Sequence, residues 1–234
     1  MTKPSKSSVF RTPRDQQLRS CITQEAARLM YEEGVKEYYV AKRMASKRLL
    51  GQVGQHNLRF RPQDLPSNGE IRDALLIHAD LVEGKERTER LFAMRVVALR
   101  VMRALLPFHP AIIGSVSTGH VRRGSDIDLH AFTEDPEILE VHLEELGWDY
   151  ESQEVTIRKH GGFRDYLHYY IEDTFPIEIT VYPPHERRIQ QRSSTDGKPI
   201  RRLDADALEQ LLLSEHTDAW LRYLQTQEIP RFLF

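Results

Sequence analysis

Residues 113–129 read IGSVSTGHVRRGSDIDL, and the fold turns on how this stretch is read. The short apolar run Ala111-Ile112-Ile113 follows Pro110 and predicts a buried strand. Gly114-Ser115 interrupts it, and after ten further residues Asp126-Ile127-Asp128-Leu129 opens an alternating segment that runs to Phe132. Successive side chains of a strand point to opposite faces. Asp126 and Asp128 therefore share one face, and Ile127 and Leu129 turn to the core. Two carboxylates one pleat apart repel each other, which raises their pKa values and costs stability. A bound divalent cation relieves that cost, and carboxylate oxygens are the ligands magnesium prefers.

Outward from this pair, Pro176-Ile177-Glu178-Ile179-Thr180-Val181 repeats the pattern. Ile177, Ile179 and Val181 face the core, and Glu178 and Thr180 face away. If the two strands are neighbours, Glu178 completes a cluster of three carboxylates. Such a cluster can hold two metal ions about 4 Å apart. A solvated sheet face, or a turn with two surface acids, is the competing reading of the two aspartates, and an exposed strand glutamate that of Glu178. Asp165 and Glu172 compete for the third position but sit less cleanly between core-facing residues. Gly114 lets backbone approach a phosphate closely, and the Ser115 hydroxyl can bind its oxygens. Gly119 and Gly124 predict a supple loop, in which Arg122 and Arg123 place positive charge.

A Gly-Ser turn, a spacer of about ten residues, Ser125-Asp126-Ile127-Asp128-Leu129 and a distal acid in an apolar strand together resemble the polymerase-beta-type nucleotidyltransferase superfamily. The resemblance covers about residues 107–182. It implies that Gly114 and Ser115, joined by Gly124 and Ser125, bind the triphosphate of a nucleotide. It implies that Asp126 and Asp128 bind two magnesium ions, for which manganese can substitute, and that Glu178 helps hold the ion that activates the acceptor hydroxyl. The implied reaction moves a nucleoside monophosphate from an NTP, ATP above all, to an acceptor, and releases pyrophosphate. The alternative is a non-catalytic nucleotide- or RNA-binding regulatory module that keeps the same fold.

The rest of the chain predicts an α+β architecture with a small mixed sheet. Residues 1–20 read as a flexible basic tail, with Lys3, Lys6, Arg11, Arg14 and Arg19 against Asp15. Residues 21–106 read as a helical N-terminal region. In it, Ile22 to Leu50 are good helix formers, with Gly34 a weak point and Gly51 placed to end the run. Residues 51–66, GQVGQHNLRFRPQDLP, read as a loop. Ser67 and Glu70 fit a capping box before the next helix. A further helical stripe runs from about Lys85 to Leu106, where Pro107 stops it, and Gly84 either divides two helices or lies within one. Residues 107–203 form the expected nucleotidyltransferase core, with a helix capped by Asp135-Pro136 and further strands over 149–160 and 165–172. Residues 204–234 read as C-terminal helices packed on that core.

Other residues carry weaker signals. The ten histidines show no zinc-ligand spacing. His130 falls on the strand face of Asp128 and is a candidate substrate contact, as are Arg122 and Arg123. Lys198, in the second basic segment Arg187–Arg202, is another. The two basic segments favour an RNA or protein acceptor over a small molecule. Cys21 has no partner for an internal disulfide and reads as structural. A reducing cytoplasm is the expected location. No apolar run approaches the roughly 20 residues of a membrane span, and the net charge of −2 argues against a wholly basic nucleic-acid clamp.

Overall fold

The computed structural model describes residues 13–53, 65–159, 162–193, 195–230 and 232. The chain divides into two compact units, Met1–Val82 and Glu83–Phe234.

The first unit contains helices α1 (Pro13–Glu32), α2 (Tyr38–Val53) and α3 (Asn68–Glu83). Ile22, Ala26, Leu29 and Met30 of α1 meet Ala41 and Ala45 of α2 and Ile71, Ala74 and Leu75 of α3 in one buried cluster. The capping box forms as expected: the Glu70 N–H donates to Ser67 Oγ at 3.2 Å, and the Ser67 N–H donates to Glu70 Oε2 at 2.7 Å. Gly34 does break the helical run, with φ at +67°. Gly51 does not end it, because α2 continues to Val53. The start of α1 at Pro13 makes residues 13–20 helical rather than a tail, while residues 1–12 lie outside the described residues. The loop expected over 51–66 falls mostly outside them as well. Cys21 is exposed on α1 rather than packed.

The second unit is built on a five-stranded mixed sheet. Its strands are β1 (Ala111–Ile112), β2 (Ile127–Phe132), β3 (Glu151–Lys159), β4 (Gly162–Glu172) and β5 (Pro176–Tyr182), in spatial order β1-β2-β5-β4-β3. Only β2 and β5 run parallel. Parallel neighbours need a long crossover, and here it consists of α6 (Pro136–Glu145) and the β3–β4 hairpin. Ile127, Leu129, Ile177 and Ile179 point into one buried cluster with residues of α4 (Lys85–Ala104), α7 (Ala205–Glu215) and α8 (Thr217–Thr226). The α+β class read from the sequence is the observed one.

Helix α4 sits differently from the expectation, which placed it in an N-terminal region ending at residue 106. Gly84, at φ +52°, separates α3 from α4. Leu91, Met94, Ala98, Val101 and Met102 of α4 are buried in the same cluster as the sheet. Helical periodicity shows that a stripe is buried but not what covers it. Among the described residues no helix is long and apolar enough to cross a membrane.

Candidate metal centre

Strand register brings the three acids together. β2 and β5 pair with Asp128 directly opposite Glu178. Asp126 precedes β2 by one residue. The three carboxylates each offer an oxygen within 4.8 Å of the others. Asp126 is exposed, and Asp128 and Glu178 are half-buried. Neither Asp165 nor Glu172 joins them: Asp165 accepts from Thr156 Oγ1 at 2.5 Å, and Glu172 pairs with Pro176 at the end of the hairpin.

The electrostatics of this arrangement are unfavourable as it stands. Burial, then Asp126, then Glu178 pushes the Asp128 carboxyl up to about 7. The phenol of Tyr170, directly across from Glu178 on β4, is also pushed up, first by burial and then by Glu178 and Asp126. Among the described residues no lysine or arginine forms an ion pair with any of the three carboxylates. Among the described residues the side chain that hydrogen-bonds to them is His168, whose Nδ1 lies 2.6 Å from Glu178 Oε1. Clustered hard oxygens without a countercharge suit a divalent cation such as magnesium.

Backbone packing fixes Asp128. The Ile113 N–H donates to the Asp128 carbonyl at 3.0 Å. Gly114 then takes φ +67° and lies flat against the Asp128 carboxyl. A Cβ at this position would stand 2.1 Å from Oδ2. Gly114 and Ser115 open the short helix α5 (Gly114–Thr118), and the Gly114 carbonyl accepts from Ser117 Oγ at 2.9 Å and Thr118 Oγ1 at 3.0 Å.

The segment from Gly119 to Ser125, expected to be supple, is tied down. The Arg122 N–H donates to Ser125 Oγ and the Ser125 N–H to the Arg122 carbonyl, both at 3.0 Å, across Gly124 at φ +76°. Helix α4 supplies further ties. Arg87 Nη1 donates to the Gly119 carbonyl at 2.8 Å, and Arg95 Nε donates to the Val116 carbonyl at 3.1 Å. Glu83, just before α4, accepts from the Arg123 N–H at 2.8 Å. Arg95 is 1% exposed and also donates to Glu215 at 2.7 Å. Replacing it with methionine keeps the bulk but strips the buried Val116 carbonyl of its donor. An unsatisfied buried acceptor costs about 1–3 kcal/mol, and a urea melt of Arg95→Met is expected to show a loss of that size.

The other candidates have partners of their own. His130 shares the Asp128 face of β2 but is 2% exposed. It accepts from Arg202 Nε at 3.1 Å, and the Arg202 guanidinium caps Phe132 at 5.3 Å. Arg123 points to Glu86 at 3.8 Å, and Arg122 Nη1 donates to the Arg123 carbonyl at 3.5 Å. Lys198 stands 3.9 Å from Asp196 in its own turn. His168 and Tyr170 belong to no motif in the sequence. Their signal was their alternation within β4, but only the β4–β5 register makes it meaningful. No family model, curated protein or solved structure matches the chain.

Proposed function

We propose that the second unit is a magnesium-dependent nucleotidyltransferase of the polymerase-beta type. The observation that carries this reading is the pairing of Asp128 with Glu178 on adjacent parallel strands, beside Asp126, with Gly114 packed on Asp128. The motif order supports it too, since a Gly-Ser turn stands between β1 and the paired aspartates.

Asp126, Asp128 and Glu178 would hold the cation or cations. Bound magnesium would supply neutralisation of phosphate charge and a more acidic acceptor hydroxyl. Gly114 and Ser115 would cradle the triphosphate, and the ties from α4 would keep that cradle rigid. The acceptor hydroxyl oxygen bonds to the α-phosphorus as the bond to the β-phosphate oxygen breaks. Pyrophosphate leaves, and the hydroxyl proton passes to solvent. Catalysis by such a site comes mainly from positioning and charge complementarity. ATP is the expected donor. RNA and protein hydroxyls come before small molecules as acceptors, because Arg187, Arg188, Arg192 and Arg201 are exposed on the segment that follows β5.

The test incubates the full chain with α-labelled NTPs, magnesium or manganese, and pooled RNA, protein and small-molecule acceptors. The expected result is label transfer with equal release of pyrophosphate, both lost in Asp126→Asn/Asp128→Asn. Transfer that persists in the double variant would refute the assignment. So would an absence of transfer with every metal and acceptor class.

A further inference from the structure

We propose that His168 is the positioning residue that fixes the Glu178 carboxylate toward the cation. This rests on the metal centre of the proposed function. β4 runs antiparallel to β5, with Tyr170 opposite Glu178 and His168 opposite Thr180. His168 is therefore the diagonal neighbour of Glu178 on the same sheet face, within reach of its side chain.

The contact is short and half-buried. Nδ1 lies 2.6 Å from Glu178 Oε1, and His168 is 7% exposed. Nε2, at the far side of the ring, is sealed from solvent and has no hydrogen-bond partner among the described residues. A proton on Nε2 would be a buried donor without an acceptor, which costs about 1–3 kcal/mol. An ionised carboxylate can only accept, so Nδ1 is the donor of this contact to Glu178. A donor held this way stops the carboxylate from rotating and sets the direction of its second oxygen. Outer partners that orient metal ligands typically change metal affinity about 10–100-fold when removed. The Tyr170 ring lies beside the imidazole, 6.3 Å from it and tilted by 31°.

Three substitutions separate positioning from packing. Asparagine places its amide N–H where Nδ1 stands. Glutamine carries its donor farther out, near the Nε2 position. Leucine fills space without a donor. The full chain is titrated with manganese and followed by calorimetry and by the electron paramagnetic resonance of the free ion. Thermal melts of the metal-free proteins report folding. His168→Asn is expected to bind manganese within about threefold of the parent, and His168→Gln and His168→Leu about 10–100-fold more weakly. Equal affinity in all three variants would overturn the proposal, as would an asparagine variant as weak as leucine. If His168→Leu does not fold, the asparagine and glutamine pair still decides. Failure of this proposal alone appears as a parent that binds manganese, an Asp128→Asn variant that does not, and His168 variants that all bind like the parent. A parent that binds no manganese would overturn the metal centre and this proposal together.

Discussion

Replacing Asp128 with asparagine is expected to abolish transfer and yet make the metal-free protein more stable above pH 7. The two effects share one cause. Burial, helped by Asp126 and Glu178, raises the Asp128 carboxyl from 3.8 to about 7. Between those values the folded chain holds a proton that the unfolded chain has released. Stability therefore falls as pH rises through this window. The penalty is absent below about pH 4 and complete above about pH 7. At 1.36 kcal/mol per unit, the asparagine variant should gain about 2–4 kcal/mol at pH 8 and nothing at pH 3.5. Urea melts at both pH values check this. Magnesium should stabilise the parent with the logarithm of its excess over the dissociation constant and leave the variant unchanged. Transfer should fall by on the order of 1,000-fold or more. A variant that is no more stable at pH 8 would mean that Asp128 is not the strained carboxylate described here.

Gly114→Ala is expected to cut metal affinity about 100-fold while the fold survives. Two separate constraints meet at this residue. Its φ of +67° suits glycine, and an L-residue there costs about 1–2 kcal/mol. The added methyl would stand 2.1 Å from Asp128 Oδ2 and 3.1 Å from its Cγ, so the carboxyl must swing away. Gly147→Ala separates strain from displacement. Gly147 has φ +70° but nothing within 4 Å of a new Cβ. It should show a similar loss in a urea melt with manganese binding intact. A Gly114→Ala protein that binds manganese like the parent would mean that the glycine serves the backbone turn alone.

The carboxylates were legible in the sequence because alternation is a local property. Ile127 and Leu129 mark the core face of β2, and Ile177 and Ile179 that of β5, so the faces of Asp128 and Glu178 follow. That the two strands are neighbours in register did not follow, since pairing joins residues far apart in the chain. The same limit hid His168, one histidine among ten whose meaning depends on the β4–β5 register. It also hid the role of α4. Arg87 and Arg95 look like ordinary helix-surface cations in sequence, yet they bond carbonyls 21 to 34 positions away. Glycines in the 114–125 segment suggested suppleness because a glycine reports the backbone's freedom and not the ties around it. The face of His130 follows from alternation, but its hydrogen bond from Arg202, 72 residues on, does not.

Calorimetric titration of the protein with a non-hydrolysable NTP, with and without magnesium, decides between a metal-dependent transferase and a binding module. Nucleotide binding is expected to require magnesium and to disappear in Asp128→Ala. Nucleotide or RNA affinity that is independent of magnesium and untouched by Asp128→Ala would contradict the transferase reading and identify a binding module instead.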